Sequence, residues 1–346
     1  MSYQCKILAD SADGRGNRLV TYEIVLPRMV LAEFNTHCML SRNSASSRAL
    51  PVDLVIRGLL EDTFVPERFG INQSGMQSVY YLEGQFDTEA RSIWKSGRDR
   101  DLLTALELLF GKAKAYSFFG STPDFDIPAT RAKLIVALDD YSAAVKALNA
   151  QVAGLGEVEA EAALRDFVAT QYLNTHKQYA NRVLETYPWH TIITTATEWS
   201  NFFAQRNHPD AQPEIRTIAS MMEKAYDEHN PVLLAPDEWH LPLLQEDELV
   251  QARTNPARWA RISAARCARV SYLTHDGRRD PSADEAMFDR LTSSGHMSPL
   301  EHIGYAMSGD AYDASPWSGK LCGFVQYRKV FPNEGNFAAV RALMNV

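Results

Sequence analysis

Between residues 52 and 170 the chain carries apolar residues at helical spacing almost throughout, while strand-type stretches lie only to either side. A chain that keeps its strands apart from a long helical run is expected to fold as α+β, a mixed β-sheet flanked by helices. Residues 19–27 (LVTYEIVLP) alternate apolar and polar positions and read as a strand ending at Pro27. Residues 28–37 read as helix. The hydroxyl-rich stretch Ser41 to Arg48, closed by Pro51, reads as a polar loop.

Helices are expected over 129–152 and, after a glycine-containing break, over 157–185, with 68–77 as a loop. Residues 194–226 read as two helices separated by RNHPDAQPE, the second restarting near Pro213. Further on, helices at 256–269, 283–293 and 319–330 alternate with strands at 270–273 and 302–307. The expected sheet uses the strands near 19–27, 270–273 and 302–307. The core comprises 1–51 and 171–346, and 52–170 is a mainly helical insertion.

Composition narrows the class. A net charge of −8 and pI near 5.6 argue against a protein that coats nucleic acid, although a few arginines can line one pocket of an acidic protein. No run of about 18 apolar residues is present, so no membrane partner is expected. Four scattered cysteines without a CxxC pair and a polar N-terminal stretch fit a reducing, cytoplasmic setting.

Four polar clusters could carry chemistry. His37, Ser41, Asn43, Ser46, Ser47 and Arg48 place hydroxyls and a guanidinium on one segment, which suits phosphate as well as it suits a solvated turn. Arg182 lies in NRVLE on an expected helix, where a surface ion pair is the plain alternative. Asn201, Arg206, Asn207, His208, Asp210, Gln212 and Glu214 follow the aromatic run Trp199, Phe202, Phe203. GHMSPLEH brings His296, Ser298, Glu301 and His302, but lacks HExxH or a zinc spacing, so no metal site is expected.

Together these blocks resemble the flavin-dependent thymidylate synthases. The family signature RHRxxSxNExSxR aligns without gaps to residues 36–48, THCMLSRNSASSR. NRVLE (181–185) resembles the family's ARxxLP helix, and EWSNFFAQRNHPDAQPEI (198–215) its NFxxLR and AQxEI segments. SAARCARVSY (263–272) and GHMSPLEHI (295–303) resemble segments that open the family's chain, so the order here resembles a circular permutation. GFVQYRKVF (323–331) resembles a partial second copy of the strand–helix unit before the signature.

The resemblance implies conversion of dUMP to dTMP, with FAD as cofactor and NADPH and methylenetetrahydrofolate as co-substrates. It implies a homo-oligomer, dimer or tetramer, with active sites between subunits. Arg206 matches the catalytic arginine that polarises the uracil. Glu33, Ser44, Ser46, Arg48 and Arg182, with Arg206, match substrate-binding positions. His37, Asn43, Asn201, His296, Ser298 and Glu301 match positions around the flavin. Thr36 and Cys38 replace both arginines of RHR, and Ser44 replaces the glutamate. Arg328, with Lys329, is expected to supply the missing charge. Two further readings stay open: another C5 modification of a pyrimidine nucleotide, and a non-catalytic nucleotide-binding homologue.

Overall fold

The computed structural model describes residues 2–74, 78–270, 279–308, 318–332 and 334–335. The chain is α+β and divides into two compact units. One comprises 2–26, 30–45 and the chain from 190 onward; the other comprises 27–29 and 46–189.

The first unit, here the sheet unit, is built on a five-stranded mixed sheet. Its strands are β1 (Gln4–Ala12), β2 (Arg18–Pro27), β3 (Ser41–Ser44), β4 (Trp189–Ala196) and β5 (Val232–Leu233), in the order β3-β4-β2-β1-β5. β1 runs antiparallel to β2 and parallel to β5, and β3 runs antiparallel to β4. The apparent alternation of β2 is misleading. As a central strand it is covered on both faces, and Leu19, Val20, Thr21, Tyr22 and Ile24 are all fully buried.

After β2 the chain makes a 3-10 turn at Arg28–Val30 and the short helix α1 (Leu31–Asn35). The first half of the expected loop is instead strand β3, because Ser41 to Ser44 pair with Ile192 to Thr195. Residues 194–196 likewise end β4 rather than begin a helix, as the β-branched run Ile192–Thr195 favours the pleat. The expected helix pair follows as α8 (Ser200–Arg206) and α9 (Pro213–Glu228), with proline at the start of α9.

A separate three-stranded sheet holds β6 (Trp239–His240), β7 (Gly304–Ala306) and β8 (Phe324–Gln326), all antiparallel. The strand near 302–307 is therefore not in the main sheet. The helix expected over 319–330 is replaced by β8 and a 3-10 turn at Tyr327–Val330. Cross-strand pairing of Gln326 with Gly304 and the packing of Leu321 and Phe324 beside Leu19 and Leu234 outweigh helix propensity there. Gly319 is required: its φ is +59°, and a Cβ would lie 2.0 Å from the Gln326 side-chain oxygen. Both β2 and β8 thus run directly into a 3-10 turn.

Helices α10 (Glu246–Ala252), α11 (Pro256–Arg269) and α12 (Pro281–Ser293) complete this unit, ahead of a 3-10 turn at Ser298–His302. Val270 caps α11, and the rest of the strand expected at 270–273 lies outside the described residues.

The helical unit comprises α2 (Val52–Glu61), α3 (Gln85–Phe110), α4 (Lys112–Phe119), α5 (Pro128–Val152), α6 (Glu157–Thr170) and α7 (Lys177–Arg182). Its core gathers Ile56, Leu106, Leu109, Phe125, Leu134 and Leu138, all fully buried. The helix expected over 157–185 is split. Asn174 and Thr175 donate their amides to the Leu109 and Leu108 carbonyls, and Tyr141 bonds the Asn174 side chain, which turns the chain before α7.

Among the described residues no helix is long and apolar enough to cross a membrane.

Candidate functional site

In the sheet unit, the site forms around the end of α1. Phe202 on α8 meets Phe34 and His37 edge-on, with ring centroids at 5.4 and 5.0 Å. This packing fixes α8 so that Arg206, one turn beyond Phe202, reaches back over the α1 terminus. Its Nε donates to His37 Nε2 at 2.8 Å, and its Nη2 donates to Thr36 Oγ1 at 2.8 Å and the Glu33 carbonyl at 3.3 Å. The signature histidine and the expected catalytic arginine, 169 positions apart, are direct partners.

That bond fixes the histidine chemically. A guanidinium only donates, so Nε2 presents its lone pair and the imidazole carries its proton on Nδ1. Burial, then Arg206, then Arg42 hold the His37 pKa below its ordinary 6.5. The Arg206–His37 bond is thus expected to persist above pH 6.5 and to be lost as pH falls through the lowered pKa. Nitrogen-15 shifts of His37 would show a neutral Nδ1–H ring at pH 6.5. A ring half-protonated at that pH or above contradicts the assignment.

Arg42, a neighbour of the signature landmarks, turns back along the chain. Its Nη1 donates to the carbonyls of Asn35 at 2.9 Å and His37 at 3.0 Å, with Phe34 at 3.5 Å. Asn43 is buried and donates to the Cys267 carbonyl of α11 at 2.8 Å. Gln326 donates to Ser41 Oγ at 3.2 Å and to the Glu301 carbonyl at 3.0 Å. Arg328 donates to Glu301 at 2.6 Å and forms an ion pair with Glu334 at 3.1 Å, and Lys329 also meets Glu334.

The remaining positions are looser. Ser44, half-buried, ends β3. Asn201 is exposed and lies about 140° around α8 from Arg206, since residues advance about 100° each. His296 is exposed ahead of the 3-10 turn that Ser298 opens.

Ser46, Arg48 and Arg182 belong to the helical unit. There the Ser46 carbonyl accepts the amides of Ala49 and Leu50, and Asn181 of α7 clasps this turn by donating to the Ser47 and Leu50 carbonyls at 2.9 Å each. Lys177 adds a bond to the Ala49 carbonyl. Glu185 of the same block accepts from Ser47 and from Arg28. Arg182, beside Asn181, and Arg48, within the clasped turn, are both exposed. Both cations, with the Ser46 hydroxyl, are brought to one locality.

Sequence reasoning overlooked a buried polar chain in the sheet unit. Ser11 of β1, Thr21 of β2, Thr195 of β4 and Ser41 of β3 set hydroxyls across four adjacent strands. His240 bridges Ser11 (2.9 Å) and Thr21 (2.8 Å), Thr21 bonds Thr195 (2.7 Å), and Thr195 bonds His302 Nδ1 (2.8 Å). His302 Nε2 and the Gln326 side-chain oxygen are buried without a partner among the described residues. The usable signal was the placement of small hydroxyl residues inside otherwise apolar strands. Among the described residues, no grouping of His, Cys, Asp and Glu could hold a metal ion.

Comparison with protein-family models, curated proteins and solved structures gives no match for this chain.

Proposed function

We propose that the protein is a flavin-dependent thymidylate synthase of rearranged segment order, which methylates dUMP reductively. The observation that carries this reading is contact inside each unit. In the sheet unit the blocks at 198–215, 263–272 and 323–331 bond to His37, Asn43 and Ser41 of the signature segment, and in the helical unit the block at 181–185 bonds to Ser47 of the same segment. The block at 295–303 bonds to 323–331. Chance likeness in short motifs gives no reason for such mutual contact.

Arg48 and Arg182 suit the phosphate of a nucleotide, being permanently charged forks with no intramolecular partner among the described residues. Arg206 suits the base. Its position is set by His37 and Thr36, and its Nη1 is left to hydrogen-bond a uracil carbonyl and stabilise negative charge developing there. Bound FAD supplies the electron transfer that no protein side chain provides. The cation-rich, donor-rich turn at the end of α1 fits an anionic dinucleotide of that kind. Methylenetetrahydrofolate as carbon donor, NADPH as reductant, assembly as a homo-oligomer and a cytoplasmic location belong to the same proposal.

The test is the visible spectrum of protein mixed with FAD, before and after dUMP. A bound-flavin spectrum that shifts with dUMP puts both ligands in one site, and dTMP formation then separates this reaction from another C5 modification. Replacing Arg182 with Gln is expected to weaken dUMP binding about 10-fold or more, from the roughly 1.5–3 kcal/mol of a charge-assisted bond. Absence of flavin binding under all conditions refutes the proposal.

A further inference from the structure

The signature segment lacks arginine at 36 and 38, and Arg328 was expected to compensate. Its guanidinium instead meets two carboxylates, Glu301 and Glu334. An arginine already neutralised twice over has little charge left for a phosphate.

Arg42 stands differently. Its Nη1 is pinned on the carbonyls of Asn35 and His37, the residues on either side of Thr36. The guanidinium therefore lies over the backbone from which the missing arginines would start. Among the described residues its hydrogen-bond partners are carbonyls alone, and Nε and Nη2 have none. Glu301 makes no hydrogen bond or ion pair with it among the described residues and is itself bonded to Arg328. A half-buried, preorganised cation with outward donors is the arrangement that grips a phosphoryl oxygen.

We propose that Arg42 is the cofactor-binding cation of this chain, contacting the pyrophosphate of the dinucleotide in place of arginines at 36 and 38, and that Arg328 is not. The assignment rests on the flavin reading above for the identity of its ligand.

The experiment is FAD titration of the full-length protein by flavin fluorescence, with near-ultraviolet circular dichroism to establish that each variant is folded. Arg42→Gln is expected to raise the FAD Kd at least 10-fold and to flatten its dependence on salt. Arg42→Lys is expected to fall between wild type and Gln, and Arg328→Gln to stay within about 3-fold of wild type, since charge-assisted bonds are worth that difference. Should the Gln variant fail to fold, the Lys variant is read in its place. Unchanged affinity in the folded Arg42 variants, or a larger loss in Arg328→Gln, overturns this assignment alone. Wild type that binds no FAD overturns the flavoenzyme reading and this assignment with it.

Discussion

Acidification is expected to unfold the sheet unit as pH falls below about 5, and His240 and His302 are the cause. Both imidazoles are fully buried, and burial pushes each pKa from 6.5 down to about 3. In the unfolded chain each would take up a proton near pH 6.5, whereas in the folded state each refuses it. Stability is therefore complete above pH 6.5 and declines as pH falls towards about 3. At pH 4.5 the loss is roughly 3 kcal/mol per histidine, at about 1.4 kcal/mol for each pH unit below the ordinary value. Together that is about 6 kcal/mol, comparable to the whole stability of a small domain. A pH titration followed by near-ultraviolet circular dichroism should show tertiary structure failing between pH 5 and 4. Proton NMR should show two imidazoles that stay neutral until that collapse. Full native signal at pH 3.5 would exclude the argument.

The same two histidines illustrate what the sequence could and could not disclose. His302 was visible as part of GHMSPLEH, but nothing local marked it as the end of a chain beginning at Ser11. Periodicity reports which face of an element is apolar, and so α5, α9, α11 and α12 were legible within a few residues. It does not report pairing partners. Ser41–Ser44 is strand only because Ile192–Thr195 lies beside it, and 324–326 is strand only because Gly304–Ala306 does. The polar composition of the first and the mere three residues of the second, Phe-Val-Gln, carry no such information.

The site shows the same division. The signature, NRVLE, the Arg206 block and the tail blocks could be chosen by residue type, yet their contacts required the fold. Arg42 was passed over because its value lies in direction. Only the path of its side chain, back to the carbonyls of Asn35 and His37, distinguishes it from any arginine in a polar segment. Arg328 was chosen by local likeness, and its two carboxylate partners could not be read from QYRK.

Replacing Asp284 with Ala is expected to destabilise the sheet unit by roughly 3–5 kcal/mol, the usual cost of removing one partner from a buried ionic cluster. Asp284 is fully buried on α12 and accepts from Arg266 of α11 at 3.0 Å, with a second, short ion pair to Arg269. Arg266 in turn forms a two-point bond with Glu248 of α10, at 2.7 and 2.8 Å. Without Asp284, the buried Arg266 would keep Glu248 as its counter-charge, and the buried Arg269 would lose its ion pair with α12. Burial nevertheless holds the Asp284 carboxyl above the ordinary carboxylate range despite both arginines. The cluster is thus a costly way to join three helices, and we expect it to fix their register more than to add stability. Urea denaturation should place the Ala variant far below wild type. Asp284→Asn, which keeps the shape and one acceptor, should fall between them. A loss under 1 kcal/mol for the Ala variant would mean that water or a shifted side chain satisfies the arginines, and the register argument would fail with it.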